Sequence, residues 1–180
     1  MTQRLTSAKA EAMPTTPLSA SRSGQDLSLW RISKRKYADT AFSGEGARRV
    51  GGRWNSRGQG MVYTSGTLSL ASLEVFVHME VEDVATMLAY IRVDVPVEVE
   101  IEYVEVAQLP LDWRNIPAPA ILATMGDTWF KSGSTAILAV PSVVIPMEYN
   151  YLINPSHPDF MKLRVESPQP FELDPRLWKS

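Results

Sequence analysis

The residues best suited to chemistry stand close together. The run Gly44-Glu45-Gly46-Ala47-Arg48-Arg49-Val50-Gly51-Gly52-Arg53-Trp54-Asn55 combines glycines, arginines and one tryptophan. Glycine lets a backbone take positive φ and come close to a ligand. Arginine presents a fork of donors that matches phosphate oxygens. Together they point to an anionic ligand, of which phosphorylated nucleotides are the commonest. A short way on, Glu74 interrupts the largely apolar run Leu68-Ser69-Leu70-Ala71-Ser72-Leu73-Glu74-Val75-Phe76-Val77. Cations for phosphates and a carboxylate for chemistry outline an enzyme site.

A helix starting near Thr67 places Leu70, Ala71, Val77 and His78 on the face of Glu74. A carboxylate among apolar neighbours is costly unless a partner or a task justifies it; the competing reading is an exposed helical glutamate. Arg31 follows Leu29-Trp30, and Arg53 follows two glycines. Each arginine alone reads as a surface residue, whereas the pair, at the ends of glycine-rich elements, suggests phosphate binding. Tyr63 could stack on a flat heterocycle or serve as a core aromatic. Ser142, after Pro141, could bond a sugar hydroxyl or be an ordinary strand-edge serine. His78 and His157 stand too far apart to argue a metal site. Gly51-Gly52 is not followed by Gly-Lys-Ser/Thr, Gly44-Glu45-Gly46-Ala47-Arg48-Arg49 lacks the third glycine of a dinucleotide fingerprint, and no Gly-x-Ser-x-Gly elbow exists.

The elements that must position these residues read as a mixed α+β domain of many short strands and two principal helices. Strands are expected at Leu27–Ile32, Met61–Thr64, Met87–Val95, Val97–Tyr103, Ala136–Val140, Ser142–Pro146 and Phe160–Glu166. Glu98, Glu100 and Glu102 alternate with Val97, Val99 and Ile101 at the period of a half-buried strand. Helices are expected from a Thr67 cap to about Met79, and within Pro117–Lys131, with Gly133 beyond the end. The segment between the first strand and Asn55 reads as a long functional loop with a helical turn, and Asn154–Pro158 as a turn. Residues 1–26, rich in Ser, Thr, Ala and Pro, read as a flexible extension ahead of a domain over residues 27–180.

The chain has 180 residues, 44% of them hydrophobic, enough for a real core. A net charge of −2 excludes a broadly basic, nucleic-acid-coating protein. The charge is uneven: Arg31 to Arg57 is strongly cationic, and Glu74 to Glu105 strongly acidic. With no cysteine in the chain, disulfides, thiolate metal sites and a cysteine nucleophile are excluded. No apolar run has membrane-spanning length, and a cytoplasmic setting is expected.

In combination, these residues resemble the RES-domain toxin family, named for an arginine, a glutamate and a serine in its site. The resemblance runs through Leu29-Trp30-Arg31-Ile32-Ser33, Phe42-Ser43-Gly44-Glu45-Gly46-Ala47 and Gly51-Gly52-Arg53-Trp54-Asn55. It continues in Val62-Tyr63-Thr64-Ser65, Leu70-Ala71-Ser72-Leu73-Glu74-Val75, Val140-Pro141-Ser142 and Asn150-Tyr151-Leu152-Ile153-Asn154-Pro155-Ser156-His157-Pro158.

The resemblance implies a fold similar to ADP-ribosyltransferase toxins. It also implies a toxin that consumes NAD+ by hydrolysis or phosphorolysis of the nicotinamide–ribose bond, without a metal. The alternatives are mono-ADP-ribosylation of a host protein and a non-catalytic nucleotide-binding module. By resemblance, Glu74 is the catalytic carboxylate, Arg31 and Arg53 the cationic residues, Tyr63 the aromatic one and Ser142 the named serine. Arg31 and Ser142 would serve both catalysis and binding of NAD+. A further tyrosine is expected after the first arginine, a place open to Tyr37 or Phe42. The implied partner is an antitoxin with an Xre-type helix-turn-helix that occludes the active site, near the cationic loop of Arg48 and Arg49.

Overall fold

The computed structural model describes residues 27–79 and 87–178. The expected extension over residues 1–26 lies outside the described residues.

The first strand, β1 (Leu27–Lys34), pairs along its whole length with β3 (Leu88–Val95), from Leu27 opposite Val95 to Lys34 opposite Leu88. On its other side it meets β2 (Val62–Ser65) through one pair, Trp30 with Ser65. β2 continues antiparallel to β6 (Tyr149–Ile153), and β6 to β5 (Ile137–Pro141). The three-residue β4 (Ile101–Tyr103) lies parallel to β5 at one edge. β7 (Arg164–Val165) and β8 (Gln169–Phe171) both pair with β3. The order is β4-β5-β6-β2-β1-β3-β7, with β8 beside β3. Three α-helices complete the described part: α1 (Glu45–Val50), α2 (Leu68–Phe76) and α3 (Ala120–Ser132).

Alternation along β5 and β6 divides the core. Ile137, Ala139 and Ile153 join Leu29, Val62 and Val93 in one cluster. Leu138, Val140 and Leu152 point into another, with Leu122 and Trp129 of α3 and with Trp54 and Met61. All five residues of β5 are buried, as befits a strand covered on both faces. α2 starts where the sequence places it: the Thr67 side chain accepts the Leu70 amide at 3.0 Å. It covers the Ile32 and Leu88 side of the sheet with Ala71. Its register is what turns Glu74 toward the cavity described below.

Some expected strands are shorter or differently made. Val97–Val99 is a turn, closed by the Val99 amide on the Pro96 carbonyl at 3.0 Å, so the alternating glutamates span a turn and the short β4. Ser142–Pro146 is not a strand. The Ser142 hydroxyl accepts the amides of Val144 (3.1 Å) and Ile145 (3.0 Å), which curls the chain out of β5. Phe160, Met161 and Lys162 belong to a 3₁₀ turn over Pro158–Lys162, and of the rest only the two-residue β7 is a strand. β6 and β8 have no counterpart in the expected elements. The long loop after β1 carries a 3₁₀ turn, Arg35–Thr40, and α1.

α3 presses directly on the arginine-bearing loop. A Cβ added to Gly126 would lie 1.9 Å from the Trp54 carbonyl oxygen. The Ser56 amide donates to Asp127 Oδ1 at 2.9 Å, one residue along the same helix. Gly126→Ala should therefore destabilise the fold by about 1–3 kcal/mol. Gly46→Ala, where a Cβ meets nothing within 4 Å on the exposed side of α1, should be neutral or stabilise by about 0.4–1 kcal/mol. Urea unfolding of both variants checks this; equal stabilities would mean that the loop does not bear on α3.

Candidate active site

One cavity of about 1550 Å³ takes in residues from β1, α1, the loop after it, β2, α2 and β6. Arg31, Arg53, Tyr63 and Glu74 all line it.

Arg31 sits where β1 and β2 are joined by their single pair. Its Nη1 donates to the Tyr63 carbonyl at 2.7 Å, taking the place of a ladder bond on β2. Its Nε–H is buried and has no hydrogen-bond partner. Desolvation pulls the guanidinium pKa down to about 10, so the group remains a cation at neutral pH. A desolvated cation with an unused donor on a cavity wall can receive an anion.

Glu74 is held from behind. Its Oε1 accepts from the Ser142 hydroxyl at 2.7 Å and from Asn150 Nδ2 at 2.5 Å. Ser142 is completely buried and does not line the cavity. Its two accepted backbone bonds leave its proton for the carboxylate. The Asn150 amide is oriented in turn, because Ser65 donates to its Oδ1 at 2.7 Å. Among the described residues nothing bonds Oε2. The carboxylate is thus fixed at one oxygen and open at the other, an arrangement that can stabilise positive charge developing on a ligand.

The glycine-arginine loop is locked by a second network. Tyr63 Oη donates to Asn55 Oδ1 at 2.7 Å and accepts the Trp54 amide at 3.2 Å. Asn55 Nδ2 then reaches the carbonyls of Ala47, Ser56 and Gln59. Burial pushes the tyrosine hydroxyl well above its ordinary pKa. Gly52 must lack a side chain, since a Cβ there would lie 2.7 Å from Tyr63 Oη. Arg53 extends from this loop and donates to the carbonyls of Trp113 (2.7 Å) and Asn115 (3.2 Å). Partial burial lowers its pKa, and the opposing pull of Glu74 places the two charges in one field.

Tyr37 lines the cavity, whereas Phe42 packs against the buried clusters. Arg48 and Arg49 are both bound by Glu45, at 2.7 and 2.6 Å. Asn150, Ser65 and Asn55 escaped the sequence reading as site residues. The available signal for Asn150 was a polar residue inside an otherwise apolar-aromatic strand, Tyr149-Asn150-Tyr151-Leu152-Ile153. Among the described residues no three His, Asp or Glu side chains gather as a metal-binding group, and no described helix is long and apolar enough to cross a membrane.

The RES domain profile matches residues 28–174. A protein named Toxin Res from Photorhabdus laumondii is 37% identical over 154 residues, covering 84% of this chain and 97% of that protein. A protein named Prs ADP-ribosylating toxin, from a Sphingobium species, is also 37% identical over 154 residues, covering 83% of this chain and 96% of that one. In fold, the chain is similar to one in the crystal structure of the M. tuberculosis MbcT–MbcA toxin–antitoxin complex. That likeness has a TM-score of 0.69 and 16% identity, over 86% of this chain and 87% of the other. On these matches and on the ordered motifs from Leu29 to Pro158, the chain belongs to the RES-domain family.

Proposed function

We propose that this protein is the toxin of a toxin–antitoxin pair and that it consumes NAD+ by breaking the nicotinamide–ribose bond. The observation that carries this reading is the half-open Glu74 carboxylate in one cavity with Arg31 and Arg53. Relatives named as toxins at 37% identity support the biological role.

The chemistry follows from charge. As the C1′–N1 bond breaks, its electron pair leaves with the nicotinamide and positive charge develops on the ribose. Glu74 faces that charge through Oε2. An acceptor oxygen then bonds C1′ and gives up its proton. A carboxylate at 4 Å is worth about 4 kcal/mol at an effective dielectric of about 20, or about a thousandfold in rate. The dinucleotide's diphosphate would lie against the arginines, and Tyr63, its hydroxyl locked, would stack on the nicotinamide ring. Ser142, on this reading, is a positioning residue that fixes Glu74 rather than a group touching the ligand.

A second reading keeps the site and changes the acceptor to a protein side chain. The relative named as an ADP-ribosylating toxin favours it. The partner in either case would be an antitoxin of Xre type covering the cavity mouth, in a cytoplasmic setting. Purified toxin–antitoxin complex should then release nicotinamide far more slowly than free toxin, and equal rates would remove occlusion from the proposal.

Incubation of the purified protein with NAD+, with and without phosphate, should release nicotinamide. Glu74→Gln should lower kcat by about a thousandfold. Absence of release from folded wild-type protein in both buffers, and of any labelled protein band when labelled NAD+ is added to a lysate, would refute NAD+ consumption. A discrete band would instead select protein modification over degradation.

Ser142→Ala should lower kcat by about tenfold or more while KM changes little, because a misplaced carboxylate loses effect steeply. The same change should cost about 1–3 kcal/mol of stability, since two partly buried amides lose their acceptor. A rise in KM with kcat intact would make Ser142 a ligand contact instead.

A further inference from the structure

Two buried side-chain polar atoms in the described structure have no hydrogen-bond partner, Arg31 Nε and Ser33 Oγ. Both residues line the cavity. They stand two apart on β1, so their side chains leave the same face of the strand. Their β3 partners on that face, Ile91 and Ala89, are apolar and offer no hydrogen bond. The 3₁₀ turn after β1 overlies this end, with Ala38 and Ala41 packed on Ala89 and Ile91 and with Tyr37 and Thr40 on the cavity wall. Leaving one buried donor unpaired is expensive, and proteins rarely tolerate it without a reason. Two such donors, on cavity-lining residues two apart on one strand, share one reason.

We infer that Ser33 is a ligand-binding residue, and that its hydroxyl and the Arg31 Nε–H together donate to the phosphate oxygens of the bound nucleotide. Both groups can donate, and one carries a cation, so the complementary ligand atom is an anionic oxygen rather than a base or an uncharged sugar. The inference rests on the reading of the cavity as a nucleotide site and deepens it by locating the diphosphate. It also separates the two arginines. Arg53 has both terminal nitrogens on the carbonyls of Trp113 and Asn115 and is only partly buried, whereas Arg31 carries a buried Nε–H with no partner. The Arg31–Ser33 pair on β1 is the anion subsite, and Arg53 lines the cavity from the loop after α1.

The serine gives an unusual pair of signatures. Ser33→Ala deletes an unpaired buried hydroxyl at nearly constant volume. The unliganded protein should therefore melt about 2–4 °C higher. The same variant should bind ADP and inorganic pyrophosphate about tenfold or more weakly by calorimetry, with adenosine affinity unchanged. Binding of both phosphorylated probes at wild-type strength would overturn the inference, as would a loss confined to adenosine. Neither result would bear on nicotinamide release by the wild-type protein, which tests the functional reading separately. Tight, Ser33-dependent pyrophosphate binding by a wild-type protein that releases no nicotinamide would uphold the anion subsite and reject only the reaction.

Discussion

A carboxylate tied at one oxygen and open at the other is the constraint on which the rest of the site depends. Without Ser142 and Asn150 on Oε1, Glu74 would be a mobile side chain on a short helix, free to turn to solvent. Each of those holders is itself held. Ser142 is pinned by the amides of Val144 and Ile145, and Asn150 by the hydroxyl of Ser65. The chain therefore spends the end of β5, a residue of β2 and a residue of β6 on aiming one group. Preorganisation of this kind removes the cost of arranging charges during a reaction.

The sheet makes the room for it. β1 and β2 are joined by the single pair Trp30–Ser65, and Arg31 bridges to the Tyr63 carbonyl instead. The side chain that patches this weak point in the ladder is also the buried cation facing the cavity. α3 and the Tyr63–Asn55 network fix the loop of Arg53. Gly126 and Gly52 are glycines because the Trp54 carbonyl and the Tyr63 hydroxyl occupy the space where a Cβ would go. The cationic and acidic parts of the cavity are thus carried on different elements that share one core, which keeps their separation fixed.

Much of this was legible in the sequence, and the limits have physical causes. α2 was readable because Thr67 caps it and an apolar run follows; the ordered motifs also grouped Arg31, Arg53, Tyr63 and Glu74, which line one cavity. Strand ends were less so. Val97–Val99 and Ser142–Pro146 have strand-like composition, but the Pro96 carbonyl and the Ser142 hydroxyl capture nearby amides and bend the chain. The type of Ser142 suggested a ligand contact, while its burial behind Glu74 depends on a contact spanning 68 positions in sequence. Asn150 meets Glu74 across 76 positions and Ser65 across 85, distances over which local periodicity carries no information. The orphan donors of Arg31 and Ser33 are likewise a property of packing, since no residue type announces that it lacks a partner.

The most direct test of the central claim is a crystal structure of the Glu74→Gln variant with intact NAD+. The ribose C1′ should lie within about 4 Å of the side-chain oxygen or nitrogen of residue 74 that faces the cavity, with Ser142 and Asn150 still on the other atom and the diphosphate at Arg31. A dinucleotide bound with its nicotinamide ribose away from residue 74, or a side chain at 74 released from Ser142 and Asn150, would contradict it.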